Sequence, residues 1–151
     1  MHIETWMKRE VRCVKPLDSI QHARDVMEEH RINQLPVVAG SKLVGIVTDR
    51  NLRDAFPSVF ESPPFGKMHK LPKEADPKRI TVEMVMTPNV LTLGPKDSIV
   101  EAATVMRRER IGAVPIIDGH HLVGILTRSD VLNAFVTLAE AGRLGAPEKA
   151  L

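Results

Sequence analysis

Pro16-Leu17-Asp18-Ser19-Ile20 returns as Pro95-Lys96-Asp97-Ser98-Ile99, and this return, 79 residues further on, decides the architecture. Outward from it, the same offset carries Ala23 to Ala102, Val26-Met27 to Val105-Met106, Arg31-Ile32 to Arg110-Ile111 and Pro36 to Pro115. It then takes Gly40 to Gly119, Leu43-Val44-Gly45-Ile46 to Leu122-Val123-Gly124-Ile125, Thr48 to Thr127, and Ala55-Phe56 to Ala134-Phe135. Between Met7–Phe56 and Met86–Phe135 roughly 20 of 50 positions are identical without a gap, far above chance for unrelated segments. Two like units packed on each other are expected, with functional sites at or near a pseudo-twofold seam.

Each repeat reads as strand, helix, strand, strand, helix. A short apolar segment opens it, Val11-Arg12-Cys13-Val14 in the first and Val90-Leu91-Thr92-Leu93 in the second. A proline and a helix start follow: Asp18 with Gln21 three residues on fits a capping box, and Asp97 is the equivalent N-cap. Ile20, Ala23, Val26 and Met27, and then Ile99, Ala102, Ala103 and Met106, have helical spacing. Arg31 and Arg110 stand near the helix C-termini, where a cation suits the dipole. Leu35–Val38 and Leu43–Val47 are separated by a short Gly-containing link, as are Val114–Ile117 and Leu122–Leu126, and each pair reads as a β-hairpin. Second helices are expected over Asn51–Phe56 and Asp130–Leu138, and short leading helices over Ile3–Met7 and Val82–Met86. The expected organisation is a first repeat over residues 1–56, a connector over 57–79 holding five of the eleven prolines, a second repeat over 80–138, and a tail over 139–151 that frays after Gly142. Phe60 and Phe65 are expected to tuck the connector against the body.

Composition removes several function classes. A hydrophobic fraction of 43% with 26% charged residues fits a soluble globular protein. One Trp, four Phe and no Tyr give little material for base stacking, and a net charge of +2 is small for general nucleic-acid binding. Cys13 is alone, so no internal disulfide or CxxC metal site is possible, and a buried small apolar role is expected for it. No secretory signal or long apolar span is evident, so a cytoplasmic protein without membrane contact is expected. His120-His121 sits in a hairpin turn without a third ligand nearby, and no metal is expected there. Lys67-Met68-His69-Lys70 reads as solvated connector, and the seven Met residues as core packing. Glu28-Glu29 and Arg107-Arg108 occupy equivalent helix positions with opposite signs; such charges ordinarily form a solvated face, though across a dimer they could pair. No Ser–His–Asp, paired-carboxylate or P-loop constellation can be assembled, so no enzyme activity is expected.

The ordered recurrence of an apolar segment, a Pro-x-Asp-Ser-Ile helix start, an Ile-x-x-φ-Pro-φ-φ strand and Gly-φ-φ-Thr near the last helix resembles the CBS (cystathionine β-synthase) domain family. Two copies resemble a Bateman module, and the stretch Thr48–Ser58 is similar to small acetoin-utilisation, AcuB-like CBS proteins. The resemblance implies an α/β (α+β) fold of two tandem repeats, each a small sheet with two helices packed on it, related by pseudo-twofold symmetry. It also implies that an adenosine-containing nucleotide, AMP, ADP or ATP, binds in the cleft between the repeats.

On that resemblance, Asp130 in Gly124-Ile125-Leu126-Thr127-Arg128-Ser129-Asp130 is similar to the family's ribose-binding Asp, since one carboxylate can accept from two adjacent hydroxyls. Thr127 and Ser129 offer hydroxyls, and Arg128 a cation that could be bidentate to phosphate. The adenine would lie against Gly112-Ala113-Val114, Pro115 and Ile125, with Thr87-Pro88 closing the pocket. Asp130 and Ser129 are equally suited to cap the last helix, and the two roles are compatible. The first repeat departs from the pattern: Asn51 replaces the Asp, and Asn33-Gln34 replace Gly112-Ala113. A weaker site of Gln34, Ile46, Thr48, Arg50 and Asn51 is expected there, with Asn51 offering a neutral carbonyl acceptor.

The leading expectation is a stand-alone regulatory nucleotide sensor read by a regulated partner protein. The alternative is a constitutive interaction or assembly module whose clefts stay empty. The resemblance further implies a homodimer, a flat disc of four repeats. Its contacts are expected on helix faces bearing Ile20, Ala23, Met27, Ile99, Ala102 and Met106, with Val131, Ala134, Phe135 and Leu138. Head-to-head and head-to-tail pairings are both left open.

Overall fold

The computed structural model describes residues 1–55 and 76–143. Phe56, the connector as far as residue 75 with Phe60, Phe65 and Lys67–Lys70, and the tail from residue 144 lie outside the described residues. The first repeat holds α1 (Ile20–His30), β1 (Gln34–Ala39), β2 (Lys42–Thr48) and α2 (Asp49–Ala55). After a short α3 (Val82–Val85) and β3 (Thr87–Pro88), the second repeat holds α4 (Ile99–Glu109), β4 (Ala113–Asp118), β5 (His121–Thr127) and α5 (Arg128–Glu140). This is the mixed α/β fold expected. The opening apolar segments contribute single parallel bridges, Val14 to Val37 and Leu93 to Ile116, rather than full strands.

The chain forms two compact units. The first-repeat unit runs between Val11 and Val90 with His120–Leu122; the second-repeat unit comprises Met1–Glu10, Leu91–Gly119 and the residues from Val123 onward. Each repeat body is thus completed by the leading segment of the other. In the first-repeat unit, Val82 and Glu83 donate their N–H groups to the carbonyls of Asp18 (2.8 Å) and Pro16 (2.9 Å). In the second-repeat unit, Ile3 and Glu4 donate to the carbonyls of Asp97 and Pro95, both at 2.9 Å. The Lys96 ammonium reaches Glu4 and holds its carboxyl below the ordinary range.

These docked segments explain the glycine of the Gly-Ile-φ-Thr pattern. A Cβ on Gly124 would stand 2.9 Å from the Lys8 carbonyl and 2.6 Å from the Met7 sulfur. On Gly45 it would stand 2.9 Å from the Thr87 carbonyl and 2.7 Å from the Met86 sulfur. No side chain fits where the two backbones approach so closely. Lys8 and Ile125 exchange both backbone hydrogen bonds at 2.9 Å, and β3 pairs antiparallel with β2 at the matching place.

Helix termini differ from the expected caps by one residue. Ser19 and Ser98 are the N-caps, accepting from His22 and Val100 N–H. Asp18 and Asp97 instead close the preceding turn, accepting from Lys15 N–H at 2.8 Å and Gly94 N–H at 2.7 Å. A short carboxylate satisfies its own local turn before it can reach the helix. Gln21 bonds Asp25, so no capping box forms there. At the C-terminal ends, Arg31 and Arg110 adopt left-handed φ values of 52° and 55°. The following Ile32 and Ile111 return hydrogen bonds to the Met27 and Met106 carbonyls, a Schellman closure made without glycine.

Each unit has its own core. Ile20, Ala23 and Met27 pack on Leu35, Val37 and Val47 in one; Ile99, Ala102 and Met106 pack on Val114, Ile116 and Leu126 in the other. At about 1.5–3 kcal/mol for each fully buried large aliphatic side chain, these stripes hold the helices on their sheets. The faces expected to meet a second copy are therefore consumed within the chain: of the residues named for that contact only Phe135 is strongly exposed, at 57%, while Val131 is half-buried and the others are core. Cys13 also departs from expectation. Its side chain is exposed, with one flank packed closely enough that desolvation raises the thiol's pKa.

Candidate functional site

The corner where β5 meets α5 is built by Thr127 and Asp130. Thr127 is the N-cap: its Oγ1 accepts from Asp130 N–H at 3.3 Å. In return Asp130 Oδ2 accepts from Thr127 N–H at 2.8 Å and from the Thr127 hydroxyl at 2.7 Å. The capping role considered for Asp130 is therefore present, and it occupies one carboxylate oxygen with two donors. The other oxygen, Oδ1, accepts no hydrogen bond among the described residues. Its nearest charge is the Lys8 ammonium, 3.8 Å away on the docked leading segment. Asp130 is the one charged residue among those buried in the described structure, at 7% exposure, while the Lys8 side chain is 59% exposed. The site thus presents a buried carboxylate oxygen with spare acceptor capacity beside a mobile-headed cation.

The neighbouring candidates divide by strand alternation. Val114 and Ile116 belong to the core under α4, which sends Ala113 and Pro115 to the opposite face of β4. Ile125 likewise stands outside the core cluster while Leu126 is inside it. Ala113, Pro115 and Ile125 can therefore offer an apolar platform; Val114, fully buried among core residues, cannot touch a ligand in this arrangement. Gly112 donates its carbonyl to Arg128 N–H at 3.0 Å. The Arg128 side chain donates Nε to the Ile111 carbonyl at 3.1 Å, which leaves its two terminal amino groups for other partners. Ser129 is exposed in the first turn of α5.

In the first-repeat unit, Thr48 and Asn51 build the same corner. Thr48 N–H and hydroxyl donate to Asn51 Oδ1 at 2.9 and 3.0 Å, and Asn51 N–H donates to Thr48 Oγ1 at 3.1 Å. The backbone N–H of Thr48 requires an acceptor, which fixes the amide orientation. The carbonyl that Asn51 was expected to offer a ligand is thus spent on the cap, and its remaining group, Nδ2, is a donor. Gln34 opposes Thr48 in the β1–β2 register, Ile46 lies outside the core cluster, and Arg50 is exposed on α2. Thr87 and Pro88 pair with Ile46 and Gly45, so the structure groups them with these first-repeat residues. The positions that take their place on the second-repeat unit are Lys8 and Arg9. Sequence reasoning missed Lys8 because its partner lies 122 residues away; the 79-residue offset from Thr87 was the available signal.

Among the described residues no three His, Cys, Asp or Glu side chains come together to hold a metal, and no helix is long and apolar enough to cross a membrane. His120 and His121 are exposed.

The CBS domain model matches residues 3–58 and 82–137. A Vibrio cholerae protein provisionally assigned as the acetoin utilization protein AcuB is similar in structure, with TM-score 0.75 and 26% identity over 97% of this chain and 98% of its own. CBSX2, solved in complex with AMP, has TM-score 0.72 and 26% identity over 91% and 98%. The CBS domain pair of MJ0100, solved with 5-methylthioadenosine and S-adenosyl-L-methionine, has TM-score 0.73 and 25% identity over 91% and 97%. Among curated relatives, the inosine-5'-monophosphate dehydrogenase of Korarchaeum cryptofilum is 34% identical over 93% of this chain, which spans only 26% of that enzyme's length.

Proposed function

The chain belongs to the CBS domain family as a tandem pair, and from this premise we propose that it binds an adenosine-containing nucleotide at the Thr127–Asp130 corner in a regulatory, non-catalytic role. One observation carries the proposal: Asp130 keeps a buried carboxylate oxygen free while its other oxygen is fully used by the helix cap. A ribose hydroxyl pair supplies the donors that Oδ1 lacks. The apolar face of Ala113, Pro115 and Ile125 suits a purine ring, and Lys8 with the terminal amino groups of Arg128 suits phosphate. Similarity to proteins solved with AMP and with S-adenosyl-L-methionine supports the adenosyl class; among its members, the cations favour AMP, ADP or ATP. A ligand that binds one arrangement of the module better shifts the population toward it, and a regulated partner reads that shift. We place the active form in a homodimer.

A thermal-shift screen of AMP, ADP, ATP, NAD, S-adenosyl-L-methionine and cyclic dinucleotides tests this reading. Ligand at 100 times Kd adds about 2.7 kcal/mol of stability, a shift of several degrees for a domain of this size. The expected result is the largest rise with an adenine nucleotide. No rise at millimolar concentrations rejects the sensor and favours the module with empty clefts.

A further inference from the structure

The two repeats carry inverted charge at equivalent places on their helices. Arg107, Arg108, Glu109 and Arg110 end α4, and Arg128 begins α5; all five are exposed. At the equivalent positions of the first repeat stand Glu28, Glu29, His30, Arg31 and Asp49. Four arginines against one glutamate have become three carboxylates with one arginine and one histidine. On the second-repeat unit the basic end rims an open groove of about 420 Å³ between α4 and α5, floored by Met106, Val131 and Leu132 and edged by Arg107, Arg110 and Arg128. Among the described residues no carboxylate lies within ion-pair distance of those three arginines. Leu132, Phe135 and Val136 of the same helix are 63, 57 and 50% exposed, a large apolar allowance for a free surface. The acidic end of the first-repeat unit is only loosely satisfied. Glu28 pairs with Arg24 and Asp49 with Arg53, each pair at 3.1 Å but with both partners more than half exposed, so either carboxylate can be re-partnered at little cost.

We propose that the occupant of this groove is a second copy of the chain, bound head-to-tail, with the acidic α1–α2 end of one copy on the basic α4–α5 end of the other. This rests on the homodimer placed above and fixes its orientation. A twofold axis then makes the same contact twice, each basic end meeting an acidic one. Head-to-head pairing would bury Leu132 and Phe135 against their own copies. It would also set two sets of four arginines around one groove and two sets of carboxylates around the other, and like-charge juxtaposition across an interface is strongly unfavourable. The stems of Arg24 and Arg53 can lie over the apolar floor while their charged heads stay in water.

Charge reversal tests the orientation by sedimentation equilibrium of the full chain. Arg107→Glu with Arg108→Glu makes both ends acidic, and Glu28→Arg with Glu29→Arg makes both basic. Each double variant is expected to raise the dimer Kd a hundredfold or more, with circular dichroism and melting confirming that the fold persists. Combining all four substitutions restores unlike ends and is expected to recover dimerisation to within about tenfold of the parent chain. Raising salt is expected to weaken the parent dimer and leave the double variants little changed. A parent chain that is monomeric at micromolar concentration removes both the homodimer and its orientation. A dimeric parent whose double variants remain dimeric, or whose fourfold variant does not recover, removes the orientation alone and leaves head-to-head pairing.

Discussion

In the second-repeat unit Thr127 and Asp130 close a capping box with contacts of 2.7, 2.8 and 3.3 Å; in the first, Thr48 and Asn51 close the same box at 3.0, 2.9 and 3.1 Å. The helix start is indifferent to which residue supplies the accepting oxygen. The atom left over is not indifferent: an anionic acceptor in one unit, an amide donor in the other. The docked segment sharpens the contrast, since Lys8 flanks Asp130 while the uncharged Thr87 holds the matching position beside β2. A shared scaffold can therefore keep two structurally equal corners while only one retains the acceptor that a ribose requires.

The largest effect is expected from Gly124→Ala. Its methyl meets the Lys8 carbonyl, a backbone atom that cannot yield without undocking the leading segment, and a loss of about 1–3 kcal/mol in urea unfolding is expected. Nucleotide affinity should fall with it, because Lys8 moves. Gly45→Ala should cost similar stability yet leave affinity intact; equal losses of binding in both variants would erase the contrast between the sites.

Next in size is Asp130→Ala. Losing the cap costs about 0.5–2 kcal/mol without ligand. Losing a charge-assisted acceptor worth about 1.5–3 kcal/mol weakens binding roughly ten- to hundredfold. Asn51→Ala should show the stability loss alone, read by calorimetry beside thermal melts. Lys8→Met is expected to have a smaller effect, about 1 kcal/mol or less on stability, since the ammonium is well exposed. Its signature is weaker binding of ATP relative to adenosine. Smallest, and equal in the two units, is relief of the left-handed residues: Arg31→Gly should stabilise the monomer by about 1 kcal/mol or less.

Much of this was readable from local pattern. The offset of 79 residues found the repeats, the spacing of Ile20, Ala23 and Met27 found α1, and the Gly-containing links found both hairpins. Three things were not readable. The choice between Asp18 and Ser19 as cap turns on which local hydrogen bond a carboxylate reaches first, and both residues are good caps by type. The docking of each leading segment on the other repeat's body is a long-range pairing with no local signature, so Lys8 went unseen and Thr87-Pro88 were assigned to the wrong neighbours. The helix stripes expected to meet a second copy were the same stripes needed for the chain's own core; periodicity reports that a face is buried, not by what.

Asp130→Asn tests the central claim most directly. Asn51 shows that an amide can close this capping box, so the substitution should leave the ligand-free melting temperature nearly unchanged while replacing the free acceptor with a donor. Titration calorimetry with the adenine nucleotide giving the largest thermal shift should then show an affinity at least tenfold below that of the parent chain. Undiminished affinity in Asp130→Asn, or binding abolished by Asn51→Ala instead, would contradict the assignment and move the site to Thr48, Arg50 and Asn51.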